Sequence, residues 1–451
     1  MARAIIVAVQ RIAMQEMSET CYVFIPGKNW RLSLAELVAL LSERKLEFTI
    51  KEFSPEFFTV DIEATADEVR SEDFGGVIKI GSVKTVLKTE ILQNFFANED
   101  KAAKAEIRRT VTSSKAIDLI LSKAIGKILF GVSVYCAHRP LRGFSRRIQR
   151  FVGSAVKTEL RAEGARSDFM GFSGQRKFPQ LTHVEVLKKQ LVDKGAEVLF
   201  CIGKERTLMA TTLSVHNPFE FQKRDIAKPV ERRIFAMPPR LARIMVNLAG
   251  CHQGKTFLDP FCGVGTILLE ALLSGAEVVG ADSNPWCVKA SRENLEWLAR
   301  EYELKSPSFV VLLGDARKLS PRIRNVDCIA TEPDLGPALR ENPTNAYAAK
   351  IVTKLEPLFF SFMEDAFEVL SDKGRLVFVT PYFQTRSGKP VQTRFAEKAE
   401  EIGFKRLYPF KKEHFTKEDD VENRLIGLTS IVDVAERHKV GREINVFQKS
   451  D

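Results

Sequence analysis

From Thr256 to Ala281 the chain runs apolar strand, glycine loop, apolar helix and apolar strand in quick succession. Thr256–Asp259 leads into Phe261-Cys262-Gly263-Val264-Gly265-Thr266, the helix Ile267–Leu273 opens directly from that loop, and Glu277–Ala281 follows. Strands that are apolar throughout, rather than alternately, are covered on both faces, as in a parallel sheet. Two of them joined by one helix form a right-handed crossover. Val310–Leu313 and Val326–Ala330 repeat the pattern further on. Residues 241–451 are therefore expected to form a doubly wound α/β domain.

Gly263 and Gly265 let a ligand approach backbone where a Cβ would clash, and the helix behind them offers unpaired N–H groups. Two glycines alone are a weak signal, and their acidic company is the stronger one. Asp282 ends the second strand about twenty residues after the loop, where a carboxylate can accept hydrogen bonds from ribose hydroxyls. Asp315 follows the third, where an acid can meet the exocyclic amine of an adenine. A dinucleotide fingerprint would put a third glycine where this chain has Leu268. Asp259 suits a ligand with an ammonium group better than one with a pyrophosphate. This layout is that of S-adenosylmethionine binding, and the expected cofactor contacts are Asp259, Phe261, Gly263, Gly265, Thr266, Asp282, Ser283, Asp315 and Ala316.

The chain carries 68 Lys and Arg against 58 Asp and Glu over 451 residues, more than one ordinary domain. Residues 101–200 alone hold 20 basic and 8 acidic residues, so the excess belongs to that segment. Within Phe144–Ala162, helical spacing puts Ile148, Phe151, Val152, Ala155, Val156 and Leu160 on one face. Arg146, Arg147, Arg150, Lys157 and Arg161 fall on the other, within about 100° of arc. With Arg139 and Arg142 just upstream, they are the expected phosphate-contacting residues; a solvated helix face is the alternative. No apolar run approaches the roughly 20 residues that span a bilayer. Ala4–Val9 is too short for a signal-peptide core, and no membrane partner is expected. Seven cysteines without a C-x-x-C pair argue against a disulfide framework or a zinc site. A reducing cytoplasm fits them, and no metal is expected.

Upstream of the glycine loop, residues 1–97 read as a small α/β unit. It has strands at Thr20–Pro26 and Phe57–Ile62, a helix over Leu32–Leu41 with Ser33 as N-cap, and a turn at Gly75–Gly81 leading into another strand. Residues 98–215 read as a second unit. It opens with a basic helical connection, Asn98–Lys127, and continues with strands at Ile128–Tyr135, Glu197–Ile202 and Leu208–Val215. Its helices are Phe144–Ala162 and Leu181–Lys194. Residues 216–240 form a polar linker.

DPFCGVGTILLEAL (259–272), MPPRLARIMVNLAG (237–250) and FQKRDIAKP (221–229) resemble the THUMP-domain RNA methyltransferases. The likeness is greatest to the archaeal and eukaryotic enzymes that methylate the N2 amine of guanosine 10 in tRNA. It extends upstream through LSLAEL (32–37), GGVIKIG (75–81), FGVSVY (130–135) and LTHVEVLKKQLVDKGAEV (181–198), in collinear order. The resemblance implies a Rossmann-like class I methyltransferase domain at 241–451, preceded by an N-terminal α/β domain (1–97) and a THUMP-type RNA-binding domain (98–215). It also implies S-adenosylmethionine as cofactor and tRNA as partner; a small accessory subunit is left open.

Thr331-Glu332-Pro333-Asp334-Leu335-Gly336 stands where that family reads T-D-P-P-Y-G or a close variant. There the Asp and a neighbouring carbonyl accept from the exocyclic amine of a flipped-out base, and the aromatic stacks on it. Glu332, Pro333 and Asp334 are accordingly the expected catalytic residues. Leu335 cannot stack, and Tyr347, Tyr382 or Phe383 could supply the ring. The expected activity is methylation of an exocyclic amine of a tRNA base, guanosine N2 by resemblance. The alternatives are another structured RNA or base, such as cytosine N4 in ribosomal RNA, and a non-catalytic RNA-binding protein that keeps the cofactor fold.

Overall fold

Two eight-stranded sheets organise this computed structural model, which describes residues 21–65, 68–171, 179–194, 196–231, 237–416, 425–434 and 439–450. Ala4–Val9 lies outside these residues. The first sheet contains β1 (Cys21–Pro26), β2 (Phe48–Phe53), β3 (Phe58–Ile62), β4 (Val77–Lys88), β5 (Ile128–Cys136), β6 (Ser167–Phe169), β7 (Glu197–Ile202) and β8 (Arg206–Val215). Their spatial order is β2-β3-β1-β4-β8-β7-β5-β6. β4 pairs antiparallel with β8 from Lys79 opposite Val215 to Lys88 opposite Arg206, so strands from both sides of the 97/98 division share one sheet.

Several local expectations need correction. β2 is an additional strand, half-buried because it lies at the sheet edge. The first helix is Trp30–Glu43 and its N-cap is Asn29, whose side chain accepts from the Leu32 N–H. Ser33 lies inside that helix, and its hydroxyl donates to the Asn29 and Gly76 carbonyls. The stretch 98–127 is more than a connection. Its helices Lys101–Thr112 and Lys115–Ser122 bury Ile107, Val111, Ile117 and Ile120 with Ile148 and Val152 of the basic helix. The helix expected over 181–194 is confined to His183–Lys188, opened by a reciprocal Thr182–Glu185 cap. The linker contains a helix, Pro218–Ile226, capped by Asn217.

The second sheet contains β9 (Thr256–Asp259), β10 (Glu277–Asp282), β11 (Phe309–Leu313), β12 (Val326–Thr331), β13 (Leu370–Phe383), β14 (Phe404–Arg406), β15 (Ser430–Asp433) and β16 (Val440–Lys449). The order is β11-β10-β9-β12-β13-β16-β14, with β15 against β16. The five strands β9 to β13 are parallel and β16 runs antiparallel to β13. One face packs Phe359, Phe362, Phe378 and Phe395, with the Phe378 and Phe395 rings stacked 4.1 Å apart. Truncating one such ring to alanine costs about 3–5 kcal/mol. The other face packs Leu268, Leu269 and Leu295 in a core continuous with Leu34, Leu37 and Leu41 of the N-terminal unit.

A buried carboxylate joins the N-terminal unit to the catalytic half. Glu36 accepts from the Gly75 and Gly76 N–H groups, both at 2.7 Å, and from Asn247 Nδ2 at 2.8 Å. Burial pushes its pKa up to about 7, opposed by those three donors and by the nearby Arg240. At Gly75 a Cβ would sit 2.0 Å from the Arg240 carbonyl, so the two units touch through backbone.

Candidate active site and nucleic-acid interface

Strand order reverses between β9 and β12, and an α/β sheet binds its ligands outside the carboxyl ends of the strands at such a point. The expected cofactor residues meet there. Gly263 and Gly265 hold φ of +54° and +85°, left-handed values that favour glycine. Gly265 precedes the helix Thr266–Leu273, with Thr266 buried in its first turn. Asp282 pins the loop: Oδ2 accepts from the Gly263 N–H at 2.9 Å and Oδ1 from the Asn284 N–H at 2.8 Å. Ser283 is exposed beside it. The Phe261 ring packs edge-on against Phe362 at 5.4 Å.

Asp259 is 1 % exposed, and Oδ1 takes hydrogen bonds from the Thr331 hydroxyl at 2.6 Å and the Phe261 N–H at 3.2 Å. Burial pushes its pKa up to about 7 despite those two bonds; Asp282 and Glu332 add to the rise. The Asp315 carboxylate is already engaged. Arg317 grips both oxygens, with Nε 2.9 Å from Oδ1 and Nη2 2.6 Å from Oδ2, and its hydrogen bonds lower the pKa to about 2. Ala316 beside it is buried.

The catalytic loop follows β12 at the same edge. Pro333 is buried and Asp334 is exposed, with Oδ1 accepting from the Gly336 N–H at 2.9 Å. Glu332 is 11 % exposed and is bound by Arg442 of β16, which contacts one carboxylate oxygen through Nε and the other through Nη2 at 3.1 Å. Nothing local in the sequence reports that partner, beyond its being a charge in the apolar run GREINVF. Of the three candidate rings, Phe383 is fully buried, Tyr382 is half-buried and Tyr347 is 48 % exposed. Burial removes Phe383 as a stacking partner.

On the first sheet, Arg139, Arg142, Arg147, Arg150, Lys157 and Arg161 are exposed and Arg146 is half-buried. Arg147 lies over the Phe144 ring at 5.5 Å, and Arg142 contacts Glu56 at 3.4 Å. Arg139 and Arg142 also line a cleft of about 590 Å³ together with the adjacent His138 and with Lys51, Lys204 and Arg206, three basic walls that sequence spacing did not gather. They come from β2, from β8 and from the turn that joins β7 to β8. Among the described residues no group of three His, Cys, Asp or Glu is placed to hold a metal ion, and no helix is long and apolar enough to cross a membrane.

Residues 231–387, which contain the glycine loop, both strand-end acids and the Glu332 loop, match the family model described as RMKL-like, methyltransferase domain. This part of the chain is a methyltransferase domain. A tRNA (guanine(10)-N2)-dimethyltransferase of Methanothermobacter thermautotrophicus is 35% identical over 182 residues, covering 40% of this chain and 48% of the relative. A tRNA (guanine(10)-N(2))-methyltransferase of Mus musculus is 30% identical over 179 residues, covering 33% of this chain and 38% of the relative. The chain thus matches about half the length, or less, of these curated relatives. The crystal structure of TrmN from Thermus thermophilus has the same fold, with a TM-score of 0.50 at 18% identity over 95% of this chain and 99% of that one. The shared fold extends over both sheets.

Proposed function

We propose that the protein is an S-adenosylmethionine-dependent RNA methyltransferase that modifies an exocyclic amine of a base in tRNA, guanosine N2 being favoured. The observation that carries this reading is the meeting of Asp259, Gly263, Asp282 and Glu332 at one switch point, within a methyltransferase domain. The substrate class follows the relatives' names and the basic surface on the first sheet. The seven cysteines are buried and form no disulfide, which suits a reducing cytoplasm.

The chain's own groups fit the cofactor. The left-handed glycines set the path of the loop, with Gly265 close against Ser291, Asp282 retains lone pairs for ribose hydroxyls, and both bonds to Asp259 fall on one oxygen, leaving the other for an ammonium group. Phe261, Thr266, Ser283, Asp315 and Ala316 complete the wall. When bound, S-adenosylmethionine supplies an electrophilic methyl group. Glu332 would accept an N–H of the target amine and, with the adjoining backbone carbonyl, hold its nitrogen in line. Buried Pro333 keeps that turn rigid, and Asp334 at the rim can receive the released proton.

Mass spectrometry of nucleosides from tRNA and total RNA, incubated with the protein and methyl-labelled S-adenosylmethionine, tests this reading. Label on N2-methylguanosine is expected. Label on N4-methylcytidine would favour ribosomal RNA, and no label in any nucleoside would refute the activity.

Cofactor affinity should depend on pH through Asp259. With its pKa raised to about 7, the unliganded carboxyl holds a proton below that pH, and an ammonium ligand must displace it. Affinity should therefore fall by up to about tenfold per pH unit below 7. Asp259→Asn should bind weakly with little slope. Calorimetry between pH 6 and 8 measures both, and a flat wild-type profile contradicts the role given to Asp259.

RNA affinity should depend on the basic face. Arg139, Arg150, Lys157 and Arg161 changed together to glutamine should reduce the salt slope by about 3–4, since each phosphate contact contributes roughly 0.9. Titration of labelled tRNA at several salt concentrations reads the slope; an unchanged slope places RNA elsewhere.

A further inference from the structure

Glu332 carries one methylene more than the aspartate that the resembled motif has at this place, and the structure shows where that extra reach goes. Its carboxylate meets the Arg442 guanidinium side-on, one oxygen against Nε and the other 3.1 Å from Nη2, with both side chains largely buried at 11 % and 15 % exposure. The arginine is itself fixed. It lies on β16 between Pro381 of β13 and Asp433 of β15, so its neighbour on the β15 side is a second carboxylate. Asp433 is in turn held by the N-terminal unit, because Asn29 Nδ2 donates to its Oδ1 at 3.1 Å and to the Val432 carbonyl at 3.1 Å.

Each carboxylate oxygen has two acceptor positions, and a bidentate guanidinium takes one on each. The remaining pair keeps a single direction because the planar fork forbids rotation of the carboxylate. We infer that Arg442 is a positioning residue, which holds the Glu332 carboxylate so that its free lone pairs accept the exocyclic amine of the target base. This inference rests on the methyltransferase reading given above. It also gives the Glu332 form of the motif a physical basis: a longer acid braced by a strand that reaches the catalytic loop from 110 positions along the chain. A lysine would offer a point charge without the fork.

The test uses Arg442→Met, Arg442→Lys, Glu332→Gln and the Arg442→Met/Glu332→Gln double variant of the full chain. Wild-type activity in the nucleoside assay decides the methyltransferase reading by itself, and the variants decide the inference relative to it. Arg442→Met should lower kcat about 10²-fold, the scale of a misplaced reacting group. KM for RNA and calorimetric S-adenosylmethionine affinity should stay within about threefold, because neither ligand loses a direct contact. Arg442→Lys should recover part of the loss. The double variant should be no slower than Glu332→Gln alone, since the two residues act as a unit. Independently of turnover, hydrogen exchange at the amides of Asp334, Leu335 and Gly336 should rise in Arg442→Met without RNA or cofactor. A kcat within twofold of wild type, losses that multiply in the double variant, or unchanged exchange in the loop would each overturn the inference. If Arg442→Met does not fold, Arg442→Lys carries the test, with about a tenfold drop in kcat expected and native kcat overturning it.

Discussion

Glu270→Ala should destabilise the protein by about 3–5 kcal/mol, the cost of removing one partner from a buried ion group. Glu270 is fully buried on the helix that opens from the glycine loop. Oε1 accepts from Arg224 Nε at 2.6 Å and Oε2 from Arg243 Nε at 2.9 Å, so one carboxylate pairs with two buried cations. Arg224 comes from the linker helix and Arg243 from the helix Pro239–Leu248, and Glu270 therefore ties both to the cofactor loop. Arg224 also lies over the Phe221 ring at 4.3 Å and reaches the Tyr302 hydroxyl at 3.3 Å, so it cannot swing into water without losing those contacts. The alanine variant leaves two desolvated guanidinium groups without their buried counter-ion, Arg224 keeping only the half-exposed Glu220 carboxylate at 3.9 Å, and that outweighs the few tenths of a kcal/mol that an exposed pair would contribute. In thermal unfolding the midpoint should drop on the order of 10 °C. Glu270→Gln keeps the shape and one acceptor oxygen but loses the charge and sets an amide NH2 against one arginine, and should fall about halfway. A loss below about 1 kcal/mol for the alanine variant would mean that water reaches the site and Glu270 is not the keystone of these three helices.

The cofactor half was legible because its signals are local. β9, β10 and β12 are short apolar runs bounded by acids or glycines, and burial on both faces is why they contain so few polar residues. The helix Ser145–Ala162 was legible for the opposite reason, a clean division into apolar and basic faces. Where contacts span long stretches of chain, the sequence misleads. Glu36 reads as the polar face of an amphipathic helix, yet it is fully buried because two glycine N–H groups and Asn247 meet it. FQKRDIAKP reads as a polar linker, although Arg224 and Lys228 are buried there, the first satisfied by Glu270 and the second by carbonyls of its own helix. Ser33 and Asn29 are equally good caps, and only the chain path out of β1 selects Asn29.

The candidate catalytic site divides in the same way. Residue types and spacing pointed to Asp259 and Asp282, and the family resemblance to Glu332, but neither says how much of each carboxylate remains available to a ligand. That depends on partners such as Arg442 and Arg317, one distant and one adjacent. Sequence spacing gave Asp315 a free carboxylate, whereas Arg317 two residues later occupies it. Nor could spacing gather Lys51, Lys204 and Arg206 into one cleft with Arg139, since the pairing of distant strands brings them together.

Those differences lead to unequal expectations for the two strand-end acids. Asp282→Ala should weaken S-adenosylmethionine binding by about 10²-fold or more, because two interactions vanish together. The ligand loses an anionic acceptor for its ribose hydroxyls, worth about 1.5–3 kcal/mol per charge-assisted hydrogen bond. The glycine loop loses the bond from the Gly263 N–H at 2.9 Å, and the turn after β10 loses the one from the Asn284 N–H at 2.8 Å. At 1.4 kcal/mol per factor of ten, either alone would be readily measured. Asp282→Asn retains one acceptor oxygen and should lose about tenfold. Asp315→Ala should lose less than tenfold, since Arg317 already engages both carboxylate oxygens and water competes for whatever remains at this exposed edge. Calorimetric titration of the three variants with S-adenosylmethionine and with S-adenosylhomocysteine separates these outcomes. Equal losses at Asp282 and Asp315 would mean that Arg317 releases its partner when the ligand arrives. An Asp282→Ala variant that binds normally would mean that the crevice beside Gly263 holds some other ligand.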